Sequence, residues 1–119
     1  MKDIEFLKSN DIDVDSGIEI LGDIDMYNDT LKDFLDLSDE RLKKIEKYKN
    51  DGDMENYAIE VHAMKGDSKY LGFSKLAELS LNHQLKSQDG DVDYVNDNYY
   101  ELVEEANRVI KVCNDYLNN

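Results

Sequence analysis

The chain has 119 residues, 40% of them hydrophobic, with no proline and a formal net charge of −14. This suits one domain with one core and argues against nucleic acid or an anionic membrane as partner, because both repel such a charge. The single cysteine, Cys113, cannot form an internal disulfide; no apolar run approaches the ~18 residues of a membrane span, the start "MKDIEFLKSN" lacks the apolar core of a signal peptide, and a cytoplasmic protein in a reducing compartment is expected.

Charge is spread unevenly. Residues 1–40 hold thirteen Asp/Glu against three Lys, whereas residues 62–86 set Lys65, Lys69, Lys75 and Lys86 against Asp67 and Glu78, a local balance of +2. Such a segment in an acidic protein can be offered to an acidic partner, although a merely solvated helix face gives the same pattern.

The first ~20 residues predict one or two short helical pieces, with Ile4, Phe6 and Leu7 as a lid on one end of the fold. Asp11, Asp13 and Asp15 alternate in "DIDVDSG" as in a calcium loop. Ser16 and Gly22 stand where that loop needs Gly and Glu, so no metal site is expected and the aspartates are read as solubilising a loop and capping the segment after it.

Tyr27, Leu31, Phe34, Leu35, Ser38, Leu42 and Ile45 recur at steps of three and four, the stripe of a long amphipathic helix. It should end near "KNDGD", with Gly52 left-handed and Asp53 capping the next helix. Tyr57, Val61, Met64, Ser68 and Leu71 continue the pattern, then Leu76, Leu79, Ser80 and His83. "SQDGD" repeats the turn, with Gly90 as breaker and Asp91 as cap. Val92, Val95, Tyr99, Leu102, Val103, Ala106, Val109, Ile110, Cys113 and Leu117 mark the last helix. Four stripes joined by short turns predict an all-α fold: an antiparallel up-down-up-down four-helix bundle over about residues 23–117, with a short helical N-terminal extension, one domain across 1–119. No apolar stripe is left over after the bundle closes, so a monomer is expected.

Paired cysteines, a phosphate-cradling glycine loop and a triad arrangement are all missing from the sequence, so an enzyme with its own pocket is not expected. The two histidines differ. His83 continues an apolar stripe and reads as a packing residue. His62 lies about 200° from Met64 and about 180° from Leu71 around the helix, facing away from the core. On its own face lie Ala58, Ile59, Lys65, Gly66, Lys69 and Phe73. Gly66, one turn from His62, costs a helix about 1 kcal/mol against alanine. The cost makes sense where something must approach the backbone closely; tolerated slack is the plain alternative, and Gly72 also reads simply as a helix terminus.

His62, Lys65, Gly66, Ser68 and Gly72 in "VHAMKGDSKYLG" closely resemble the signature of histidine-containing phosphotransfer (HPt) domains. "DVDSGIEILGDIDMYNDTLKDFL" is similar to that family's N-terminal segment, and "LAELSLNHQL" to the helix after the histidine. Met64 replaces the usual leucine, and Asp67 and Lys69 replace residues that are often small. The resemblance implies a four-helix bundle that relays phosphoryl groups between receiver-domain aspartates, with phosphohistidine at His62. Gln84 would fix the imidazole, Lys65 and Lys69 would neutralise phosphoryl oxygens, and Gly66 would leave room for the partner's loop, with Ala58, Ile59 and Phe73 as docking contacts. The chain would be a phosphocarrier and not an enzyme, with no cofactor or metal of its own, magnesium being expected on the receiver. Partners would be response-regulator receivers, a hybrid sensor kinase, or both. A non-catalytic binding bundle and a phosphate-bearing domain of a larger chemotaxis-type or hybrid kinase are the competing readings; the Met1 start favours a free-standing protein.

Overall fold

A computed structural model describes residues 1–118. Six helices succeed one another: α1 (Ile4–Lys8), α2 (Val14–Leu21), α3 (Ile24–Asp51), α4 (Met54–Leu71), α5 (Ser74–Gln88) and α6 (Val92–Leu117). Among the described residues no strand forms. The 28 residues of α3, at about 1.5 Å each, set the molecule's 41 Å long dimension.

Helices α3 to α6 form the bundle. α3 and α5 each pack on both α4 and α6, so consecutive helices are antiparallel neighbours and the last returns to the first. Aspartates cap the helices that follow the turns, Asp53 and Asp91 as the sequence predicts and Asp23 in addition. Asp23, Asp53 and Asp91 accept from the backbone amides of Met26, Asn56 and Tyr94, capping α3, α4 and α6. Gly52 and Gly90 stand at φ +68° and +72° between the helices they separate.

The core runs the length of the bundle. Tyr27, Leu31, Ile45, Tyr57, Val61, Leu71, Leu76, Val95, Leu102 and Val109 are all fully buried. Leu35, Leu42, Val103, Ile110 and Leu117 pack against this core while remaining partly open. The N-terminal lid exists: Leu7 is fully buried, and Ile4 and Phe6 pack beside it. α1 and α2 pack on each other; α1 rests on α6, and α2 on α3 and α4. The backbone amide of Lys2 donates to the Tyr116 carbonyl at 2.8 Å, and Arg108 Nη1 to the Asn10 carbonyl at 2.8 Å. Ile12 and Val14, also in the core, extend the lid beyond the three residues the sequence singles out.

Two glycines accommodate α2. A Cβ at Gly17 would press on the Tyr27 ring. Gly72 ends α4 at φ +81°, its carbonyl accepts from the Asp13 amide at 2.9 Å, and a Cβ there would run into the Asp13 carbonyl. The last glycine of the sequence motif is thus a helix terminus against which the N-terminal segment closes.

Candidate functional site

α4 and α5 form the most closely packed helix pair, and the site lies on their outer seam. α4 turns Val61, Met64, Ser68 and Leu71 into the core, which leaves His62 exposed on the other side as its spacing predicts. His62 Nδ1 lies 3.1 Å from Gln84 Oε1 on α5. An amide oxygen only accepts, so Nδ1 carries the proton and the Nε2 lone pair is free. A neutral imidazole held this way can act through Nε2 as nucleophile or base. Gln84 is 9% exposed.

The surroundings of His62 divide into two halves. Toward the start of α4 an open groove of about 720 Å³ is lined by Met54, Glu55, Ala58, Ile59, His62, Gln84, Ser87, Gln88 and Gly90. Ile59 is 58% exposed at its edge. In the other direction along α4 come Lys65, half-buried, Gly66, and Lys69, exposed. A Cβ at Gly66 would meet no heavy atom within 4 Å, so this glycine opens onto free space. Asp67 does not cancel the lysines by pairing with them: its carboxylate accepts from Arg41 Nη1 of α3 at 2.7 Å. Neither Lys65 nor Lys69 has an ion-pair partner among the described residues.

One expected docking contact needs correction. Phe73 is 1% exposed, packed edge-on against Phe34 with ring centroids 5.2 Å apart. The helical extrapolation fails because α4 ends at Gly72, so Phe73 no longer follows its face and cannot meet a partner. Ala58, 7% exposed, lines the groove beside Ile59 and His62.

His83 is 1% exposed and fully satisfied, as the packing reading requires: Nδ1 lies 2.8 Å from Tyr57 Oη and Nε2 lies 3.2 Å from the Asn98 carbonyl. Burial pushes its pKa below the usual histidine range, against smaller upward pulls from the Asn98 carbonyl and Glu101. Nothing in the sequence marks the Arg41–Asp67 pair or the Tyr57–His83 contact, since both join residues 26 apart. The groove has a sequence signal, because Met54, Ala58 and His62 repeat at steps of four on one face.

No group of acidic, histidine or cysteine side chains among the described residues is arranged to hold a metal ion, and no described helix is long and apolar enough to cross a membrane. Compared with protein families, the chain matches the Hpt domain model over residues 29–111, from the first turns of α3 deep into α6. The chain therefore belongs to the Hpt domain family. Domains of this family are phosphocarrier modules, and membership places the chain in phosphotransfer within two-component phosphorelays, among receiver domains and kinases. Neither a curated protein nor a solved structure matches the chain.

Proposed function

We propose that this protein relays a phosphoryl group between receiver-domain aspartates through a phosphohistidine at His62 Nε2. The observation that carries the reading is the 3.1 Å contact between His62 Nδ1 and Gln84 Oε1 on an exposed seam. In the forward step the Nε2 lone pair attacks the phosphorus of an aspartyl phosphate. The N–P bond forms, the acyl P–O bond breaks, and the receiver's carboxylate leaves with the electron pair. The return step runs the same bonds in reverse toward a second aspartate. Gln84 keeps the second ring nitrogen protonated, so the positive charge of the phosphorylated ring rests on a hydrogen-bonded N–H.

Such a transfer depends on positioning and on neutralising phosphoryl oxygens. Lys65 and Lys69, free of carboxylate partners, supply charge on this chain's side. Gly66 leaves the loop bearing the aspartate room to approach. Ala58 and Ile59 give the partner an apolar surface in the groove beside the ring. The receiver brings magnesium and its own carboxylates, so this chain acts as a carrier without a cofactor. The working form in this reading is a cytoplasmic monomer that meets receivers, a hybrid kinase, or both in turn.

The test is to incubate the protein with a panel of phosphorylated receivers from the same organism. Uptake of an acid-labile, base-stable label from at least one is expected. Failure to take label from any of them, by a protein that is folded, overturns the proposal.

A further inference from the structure

Two polar rungs join α4 to α5. The outer one is His62–Gln84; the inner one is Tyr57–His83, in the core. Their residues are neighbours in sequence on α5 and five apart on α4. The inner rung continues into a third helix. Because the Asn98 carbonyl can only accept, His83 Nε2 carries the proton and Nδ1 has the lone pair; Tyr57 Oη therefore donates to Nδ1. Tyr57 is fully buried and its pKa is raised by desolvation, which keeps the hydroxyl a donor. The Tyr94 ring meets His83 edge-on, with centroids 5.5 Å apart. Ser87 Oγ donates to the carbonyls of both His83 and Gln84, at 2.7 and 3.0 Å.

A strut from α4 through α5 to α6 with every polar atom of the ring satisfied has one geometry. Apolar packing alone tolerates small slides and rotations of a helix, whereas a hydrogen-bonded chain in the core does not. Gln84 is next to His83 in the chain, so the rotation and height of α5 that satisfy His83 also decide where Oε1 falls relative to His62. We infer that the Tyr57–His83–Asn98 chain is a positioning device for the phosphotransfer site: by fixing α5 against α4 it holds Gln84 on His62 Nδ1 and thereby sets which ring nitrogen is the nucleophile. The inference rests on the reading of His62 as the phosphoryl acceptor, but its structural half concerns the unphosphorylated protein alone.

The test uses ring-15N-labelled protein and two readouts. Tautomer populations of His62 are measured by NMR without any partner, and the transfer rate is measured at saturating phosphorylated receiver. Tyr57→Phe keeps the ring and removes the donor. It should move His62 from the Nδ1–H form toward the Nε2–H form and slow transfer by about two- to tenfold, the worth of one hydrogen bond, with KM little changed. In a Gln84→Ala background the same substitution should add nothing to the tautomer shift, because the contact it acts through is gone. His83→Gln can accept from Tyr57 and donate to Asn98, so it should keep a tautomer ratio close to wild type. A Tyr57→Phe protein with a lower melting temperature but wild-type His62 tautomers and rate would reduce the strut to a stability element and overturn the inference. Loss of the wild-type tautomer in a folded His83→Gln protein would overturn it as well. If no receiver transfers to wild type, the phosphorelay reading fails while the tautomer result still judges the strut.

Discussion

Gly66 and Gly72 lie six residues apart on one strip of chain and serve opposite ends: a Cβ at Gly66 meets nothing within 4 Å, while one at Gly72 runs into the Asp13 carbonyl. Gly66 has helical geometry, so Gly66→Ala should raise stability by up to about 1 kcal/mol. Transfer should weaken at the same time, and Gly66→Gln should weaken it far more, because a long side chain would stand between the receiver loop and His62. Melting temperature and transfer rate on the same samples check this pair of effects. A Gly66→Gln protein that folds and transfers at the wild-type rate would remove the glycine from docking.

Gly72→Ala should do the reverse. Left-handed backbone costs a side chain roughly 1–2 kcal/mol, and the collision with Asp13 adds to it. A large fall in melting temperature is expected, with the lid formed by α1 and α2 loosened first. Hydrogen exchange at the Asp13 amide, which donates to Gly72, reads that loosening directly. Unchanged protection there would contradict the role given to Gly72.

Lys65 has an electrostatic part, so Lys65→Ala should slow transfer without stopping it. One charge-assisted contact is worth roughly 1.5–3 kcal/mol, on the order of tenfold to a hundredfold if fully expressed in the transition state. The effect should shrink as salt is added. An unchanged rate with every active receiver would remove Lys65 from the mechanism.

His83 makes stability depend on pH in a defined direction. Its folded pKa lies below its ordinary 6.5, chiefly through burial. Folded protein then binds fewer protons than unfolded protein once pH falls below about 6.5, so stability falls with falling pH from there, at no more than about 1.4 kcal/mol per unit for one group. Well above that pH, from about a unit higher, the residue is neutral in both states and contributes no slope. The groups facing it are the Tyr57 hydroxyl, the Asn98 carbonyl, the Tyr94 ring and, electrostatically, Glu101. Denaturant unfolding between pH 7 and about 5, where carboxylates are still mostly ionised, should show a shallower slope for His83→Gln than for wild type. Equal slopes would contradict the assignment.

Much of this molecule is legible in its sequence, for local reasons. Helix stripes, aspartate caps and left-handed glycines depend on residues a few positions apart, and Asp53, Gly52, Asp91 and Gly90 do what their types predict. The exposure of His62 comes from helical angle alone. That Gln84 lies opposite it is legible only through resemblance, since residues 22 apart on two helices meet through the register of packing. Spacing misplaces Phe73 because the helical angle does not carry across a helix end. The Tyr57–His83 strut is invisible in the sequence for the same reason as the Arg41–Asp67 pair: neither partner marks the other, and only the closed bundle brings them within hydrogen-bond distance.

The central claim is that His62 carries the phosphoryl group and His83 does not. The measurement is label location after incubation with a phosphorylated receiver, in wild type, His62→Gln and His83→Gln. His62 is exposed with a free Nε2, while both nitrogens of buried His83 are engaged. Acid-labile, base-stable label should appear in wild type and in His83→Gln, and be absent from His62→Gln. Label retained by His62→Gln and lost from a folded His83→Gln would contradict the account.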